Sequence, residues 1–153
     1  MQLLLPLTPD DVLSLSSGAV SFFADRIKNG LEFSIQDLDL ADRTARKYLA
    51  ELREAGREYA TRTYRYDETA RGDAMQADGF LKAIIDLEGK ILGCHIIGPE
   101  ASDLIQEVVV AMTAGSGQLH DIRESVHIHP ALSEVVQRGF SGQFSRVDTG
   151  HSH

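Results

Sequence analysis

The period of the apolar positions changes along this chain, and each change marks an element. Phe80-Leu81-Lys82-Ala83-Ile84-Ile85-Asp86 is a short apolar run with branched side chains, and Ile91-Leu92-Gly93-Cys94-His95-Ile96-Ile97 is a second. Glu88-Gly89 between them is a turn signal, so the pair predicts an antiparallel hairpin. Gly98-Pro99 ends the second strand. From Ala101 to Ala114 the spacing becomes helical, with Leu104, Ile105, Val108, Val109, Ala111 and Met112 on one stripe and Gly115 as the stop. Leu119 to Ser125 predicts a shorter helix and Pro130 to Arg138 another. Upstream, Asp10 to Lys28 reads as a loosely apolar helix carrying Val12, Leu13, Val20, Phe22, Phe23 and Ile27. A further helix is predicted from Asp42 to Gly56, capped by Asp42 and striped by Ala45, Tyr48, Leu49 and Leu52. Strands followed by helices predict an α+β layer, an antiparallel sheet with helices packed on one face, preceded by a small helical N-terminal segment.

Composition narrows what such a chain does. At 153 residues it can hold one full domain and an appendage. No stretch approaches the roughly 20 apolar residues of a membrane helix. The opening Met1-Gln2-Leu3-Leu4-Leu5-Pro6-Leu7 lacks the basic start and the length of a signal peptide, so a cytoplasmic location is expected. A net charge of −8 disfavours general attraction to nucleic acid or anionic membrane. Cys94 is the single cysteine and falls mid-strand, where a thiol is more often a small buried apolar group than a nucleophile. One thiol cannot form an intramolecular disulfide.

The chemistry is concentrated in Val126-His127-Ile128-His129-Pro130-Ala131-Leu132-Ser133-Glu134. Pro130 suits the first turn of a helix, because its missing N–H would be unpaired there and its φ is already helical. His129 would then sit at the mouth of that helix with Glu134 about a turn inside. A carboxylate so placed accepts a hydrogen bond from one imidazole nitrogen, fixes the tautomer and leaves the other nitrogen to take and return a proton. His127 and His129 form a His-x-His, which on a strand would put both rings on one side, but no third ligand is positioned to complete a metal site. No metal is therefore expected. His95 is expected on the strand face opposite Cys94, and His120 beside Asp121 in solvent. His151 and His153 lie in a polar tail.

His129-Pro130-Ala131-Leu132-Ser133-Glu134 resembles the C-terminal signature of the pyridine nucleotide–disulfide oxidoreductases, among them dihydrolipoamide dehydrogenase and the glutathione and mycothione reductases. Earlier pieces follow the order of that family's dimerisation domain: Tyr64-Arg65-Tyr66, then Thr69-Ala70-Arg71-Gly72-Asp73-Ala74-Met75, then Asp78-Gly79-Phe80-Leu81-Lys82. Gly89-Lys90-Ile91-Leu92-Gly93-Cys94-His95-Ile96-Ile97-Gly98-Pro99-Glu100-Ala101-Ser102 continues it. The Thr-Ala-Arg-Gly and Ala-Met pieces look most like the mycothione-reductase branch. The resemblance runs from about Leu52 to Phe140. It implies that His129 is an acid–base group and Glu134 its orienting partner, supplied to the active site of a partner subunit in a homodimer. It also implies FAD and NAD(P) for full-length members. This chain alone is expected to bind neither, because it has no Gly-x-Gly-x-x-Gly opening a helix and no redox-active cysteine pair. A separate chain carrying the FAD and NAD domains is a second conceivable partner.

The three expected parts are a helical N-terminal segment over 1–51, the dimerisation domain over 52–140 and a flexible tail over 141–153. Within residues 33–56, Phe33-Ser34-Ile35-Gln36-Asp37-Leu38 resembles the entry to a helix-turn-helix and 42–56 its recognition helix, with Arg43, Arg46 and Lys47 near the end that meets the major groove. The alternative reading is thus a DNA-binding regulator dimerised by the later domain. Arg and Lys on an amphipathic helix are also simply its solvated face, opposite Glu51 and Glu54. Only Asp39-Leu40-Ala41 separates the two helices, and the usual wing is missing.

Overall fold

The computed structural model describes residues 46–147 and, for the backbone alone, the strand Ala19–Phe23. Five strands form one sheet: β1 (Ala19–Phe23), β2 (Tyr59–Arg65), β3 (Phe80–Ile85), β4 (Ile91–Ile97) and β5 (Ser145–Val147), in the order β1-β4-β3-β2-β5. β2 to β5 pair antiparallel, and β1 runs parallel along the outer edge of β4. Helices are α1 (46–54), α2 (Ala70–Ala74), α3 (Ala101–Thr113), α4 (His120–Arg123) and α5 (Glu134–Gly139). The class is α+β.

The hairpin forms where the apolar runs place it. Asp86 closes its turn by accepting the backbone N–H groups of Glu88 at 3.1 Å and Lys90 at 2.7 Å. A bulge then decides which side chains meet which layer. Ile85 pairs with Ile91 and Ile84 with Gly93, so Leu92 is an extra residue on β4. The phase shift sends Ile91, Cys94 and Ile96 to one face and Leu92 to the other. On the first face lies the larger core, where Leu81, Ala83 and Ile96 meet Val108 of α3 and Val135, Val136 and Phe140 at α5, all fully buried. Each such large side chain contributes on the order of 1.5–3 kcal/mol. Gly139 lets α5 approach β3, since a Cβ there would lie 2.4 Å from Leu81 Cδ2. Gly72 is required for a related reason: a Cβ would strike the Tyr66 carbonyl, and its N–H is held by the Thr69 hydroxyl at 3.1 Å. That contact explains the Thr-x-x-Gly spacing at the start of α2.

The helices α3, α4 and α5 pack on one face of the sheet, as expected. α1, the end of the expected N-terminal helical segment, covers the opposite face, burying Tyr48 and Leu52 against Tyr59, Ile84 and Leu92, because the bulge turns Leu92 that way and leaves an apolar surface to fill. Three expectations are corrected. First, part of the expected 10–28 helix is strand β1; Ala19-Val20-Ser21-Phe22-Phe23 is rich in β-forming residues and pairs with the free edge of β4. Second, the tail is not uniformly flexible. Ser145–Val147 pairs with the other sheet edge, Thr61 facing Ser145 and Tyr59 facing Val147. Arg62 fastens the approach by donating to the carbonyls of Arg138 and Gln143, both at 3.2 Å. Third, the helix expected from Pro130 begins at Glu134. The His129–Pro130 peptide is cis, and residues 131–133 form tight turns whose carbonyls accept N–H groups three residues on. The helix-turn-helix entry at 33–38, Asp42, Arg43, His151 and His153 lie outside the described residues.

Candidate functional site

The segment from α4 to α5 is pinned at both ends by apolar burial and left open between. Ile122 is 1% exposed and Leu132 6%, both in the core between α3 and α5, whereas Val126 is 94% and Ile128 71% exposed. His127 and His129 take different environments within this segment.

His129 is on the open side. Its Nδ1 lies 3.0 Å from Glu134 Oε1 and 3.1 Å from Oε2. An ionised carboxylate only accepts, so Nδ1 carries the proton and the ring is held as that tautomer. Nε2 has no hydrogen-bond partner among the described residues, and the side chain is 68% exposed. Glu134 is the opposite, with a side chain only 8% exposed at the start of α5. Its Oε2 also accepts the Ala131 N–H at 3.3 Å. The hydrogen bond from His129, and next that from Ala131, hold the Glu134 carboxyl below its ordinary range against the opposing effect of burial. A buried, ionised carboxylate behind an exposed imidazole is an arrangement that can accept a proton at Nε2 and stabilise the resulting imidazolium.

His127 turns the other way. Its side chain is 5% exposed, and Nε2 lies 2.6 Å from Oε1 of Glu107 on α3. Nδ1 meets the Ser125 carbonyl at 3.1 Å. Burial raises the Glu107 carboxyl, and His127 opposes that rise. The His-x-His is therefore not on a strand, and its two rings go to different carboxylates. Among the described residues no group of three or more His, Cys, Asp or Glu converges as a metal site would require. Sequence reasoning missed Glu107 altogether. It lies twenty residues from His127, and no local spacing links a carboxylate on one helix to a loop beyond the next.

Other candidates fall where expected. Cys94 is fully buried, and desolvation pushes its thiol well above the ordinary range, so it carries no thiolate near neutral pH. His95 lies against Tyr48 on the face away from Cys94, and burial with the neighbouring Lys82 pushes it down to about 4. His120 is half exposed, 3.6 Å from Asp121.

Comparison with known proteins adds a family to this geometry. The pyridine nucleotide-disulphide oxidoreductase dimerisation domain matches residues 48–139. The chain is similar to dihydrolipoyl dehydrogenase of Cupriavidus necator, 41% identical over 90 residues that cover 58% of this chain and 19% of that protein. It is 46% identical to dihydrolipoyl dehydrogenase of Haloferax volcanii over 61 residues, 39% of this chain and 13% of that protein. It is also similar to leghemoglobin reductase of Glycine max, 33% identical over 105 residues, 67% of this chain and 19% of that protein. The matched part spans less than a fifth of each of these relatives.

Proposed function

The chain belongs to the pyridine nucleotide-disulphide oxidoreductase dimerisation-domain family, and from that premise we propose that it supplies the His129–Glu134 pair as an acid–base device to the active site of a partner subunit. The observation that carries this reading is the division of exposure within the pair. Glu134 is enclosed and holds Nδ1–H, while the imidazole stands out with Nε2 free to meet a group that the chain itself does not contain.

In that role Nε2 takes the proton of a substrate thiol, leaving a thiolate, and Glu134 stabilises the imidazolium until the proton is returned. The redox step belongs elsewhere in the assembly. The described residues do not fit a dinucleotide, for the chain has no Gly-x-Gly-x-x-Gly, and its one cysteine is sealed in the sheet. FAD and NAD(P) would be held by other domains, on this chain or on a separate one. A second copy of the chain is the partner that the family favours. Val126 and Ile128, exposed beside His129, are apolar side chains that such a copy would cover. No helix among the described residues is long and apolar enough to cross a membrane, which suits work in the cytoplasm. The DNA-binding alternative has less support: α1 packs its apolar face on the sheet, and the family match begins at residue 48, inside that helix.

The test is a graft. Residues 48–139 replace their counterpart in the Cupriavidus necator enzyme, and NAD-linked turnover is compared with and without His129→Gln. The graft is expected to turn over, and the substitution to lower kcat by about 100- to 10,000-fold. Equal turnover with and without His129 would overturn the assignment.

A further inference from the structure

We propose that His127, through Glu107, is a positioning residue that sets the ring orientation of His129. The inference adds a second layer to the acid–base reading above, and its primary test does not depend on turnover.

The argument begins with what surrounds the His127 ring. Both nitrogens face acceptors: the Ser125 carbonyl at Nδ1, 3.1 Å away, and the Glu107 carboxyl oxygen at Nε2, 2.6 Å away. A carbonyl never donates, so Nδ1 carries a proton. A second proton must lie in the Nε2···Oε1 contact, on the imidazole or on the carboxyl. Both assignments contain the same atoms and the same total charge. The contact is thus a charge-assisted or shared-proton bond, at the short end of the range and inside the stronger class. It closes around a ring that is 5% exposed.

Its place in the chain gives the bond its consequence. His127 lies between Val126 and Ile128, which are 94% and 71% exposed and have little packing of their own. Two residues on, His129 is also mostly outside. Between Ile122 and Leu132, the buried His127 ring is therefore the anchor that ties this segment to α3. The Ser125 carbonyl that receives its Nδ1–H also receives the Gln137 amide from α5 at 3.5 Å. Gln137 stands one turn after Glu134, so the chain is held between the helix that bears Glu107 and the helix that bears Glu134. Without the His127 bond, only the 3.5 Å Gln137–Ser125 contact and the His129–Glu134 contact itself would keep the stretch 126–129 in register with α5. A hydrogen bond with one solvated member is weak against the rotamer freedom of that side chain.

The test reads the tautomer of His129 by long-range proton–nitrogen NMR of the histidine rings in the full chain. In the wild type the neutral His129 ring is expected as the Nδ1–H form, because Glu134 accepts there. His127→Phe keeps an aromatic ring but removes both bonds. It is expected to return His129 to the Nε2–H form that dominates in free imidazoles, while the sheet amide resonances stay in place. Glu107→Ala, at a side chain already 32% exposed, should do the same, and it decides the matter if the Phe variant does not fold. Glu107→Gln offers an amide N–H to Nε2 and is expected to preserve the Nδ1–H form. Retention of that form in both His127→Phe and Glu107→Ala would overturn the positioning role. It would leave the proposal for His129 intact, just as an inactive His129 graft would leave this measurement intact.

Discussion

His127 and His129 are separated by one residue, and each meets a glutamate, yet the two pairs are built in opposite senses. At His129 the imidazole is outside and the carboxylate inside, 68% against 8% exposed. At His127 the imidazole is inside and the carboxylate at the rim, 5% against 32%. Both contacts are imidazole–carboxylate hydrogen bonds, so residue type does not distinguish them. Access does. A ring with a nitrogen open to the outside can exchange a proton with an incoming group, and a ring bonded at both nitrogens can only hold its neighbours still. Strand alternation would put both rings on one side; the difference arises because the segment has no regular structure between the buried Ile122 on one side and Leu132 on the other.

The largest expected effect separates the pairs by activity against stability. In the graft His129→Gln should cost about 100- to 10,000-fold in kcat, while in the isolated chain the same change should cost under about 0.5 kcal/mol, because the side chain is mostly solvated. Denaturant unfolding measures the second quantity. A large loss of stability with unchanged turnover would invert the comparison.

His127→Ala is expected to show the reverse emphasis. Removing a buried ring leaves the Glu107 carboxyl without its partner and the Ser125 carbonyl with only the long Gln137 contact. The loss should be roughly 1–3 kcal/mol, limited by the water that already reaches Glu107. The midpoint of urea unfolding is the reading. If His127→Ala is no more destabilising than His129→Gln, the buried pair is not the structural one.

Much of this site was legible in the sequence, and the illegible part has a physical reason. His129 and Glu134 announce themselves because one local segment of six residues carries the whole contact, and the structure does place them in reach of each other. Glu107 could not be seen: its bond to His127 depends on how α3 packs against the α4–α5 connection, which no local period encodes. The hairpin and α3 were legible for the same local reason, as uninterrupted apolar runs between strong turn residues. β5 and β1 were not, because an edge strand such as Ser145–Val147 owes its form to the unpaired backbone of β2 rather than to its own side chains. The start of α5 was misplaced because Pro130 is compatible with a first helical turn but does not impose one; the Glu134 carboxylate, reaching back to Ala131, sets the first residue instead.

A third expectation concerns what lies around both pairs. Val126 and Ile128 contribute little to the fold of one chain, since both are exposed. If a second copy covers them, changing both to Ser should weaken self-association by at least about tenfold in Kd with little change in unfolding free energy. Sedimentation of the wild type and of the double variant across a concentration series measures this. Identical association, or a wild type that stays monomeric throughout, would detach the exposed pair from any partner of the same kind.

The smallest expected effect is the most specific to His129 and Glu134, and its sign follows from the carboxyl that His129 holds below its ordinary range. A group whose folded-state pKa lies below its unfolded value adds stability that is fully present above the unfolded value. That stability is lost as pH falls through the lower, folded value. Glu134 should therefore support the fold at neutral pH and stop doing so only in the acid range beneath an ordinary glutamate, near 4.3. In His129→Gln the ring's hydrogen bond and charge are gone, leaving the Ala131 N–H and Arg138 to oppose burial. Carboxyl-carbon NMR should then show Glu134 titrating at higher pH than in the wild type. The stability lost on acidification should shrink by less than about 1 kcal/mol, as befits a pair with one exposed member. His127→Gln, by contrast, removes the group that opposes the rise of Glu107, so that carboxyl should also move upward. The two substitutions thus shift two different glutamates in the same direction, and Glu134 moving only with His127→Gln would show that the ring meeting it is not His129.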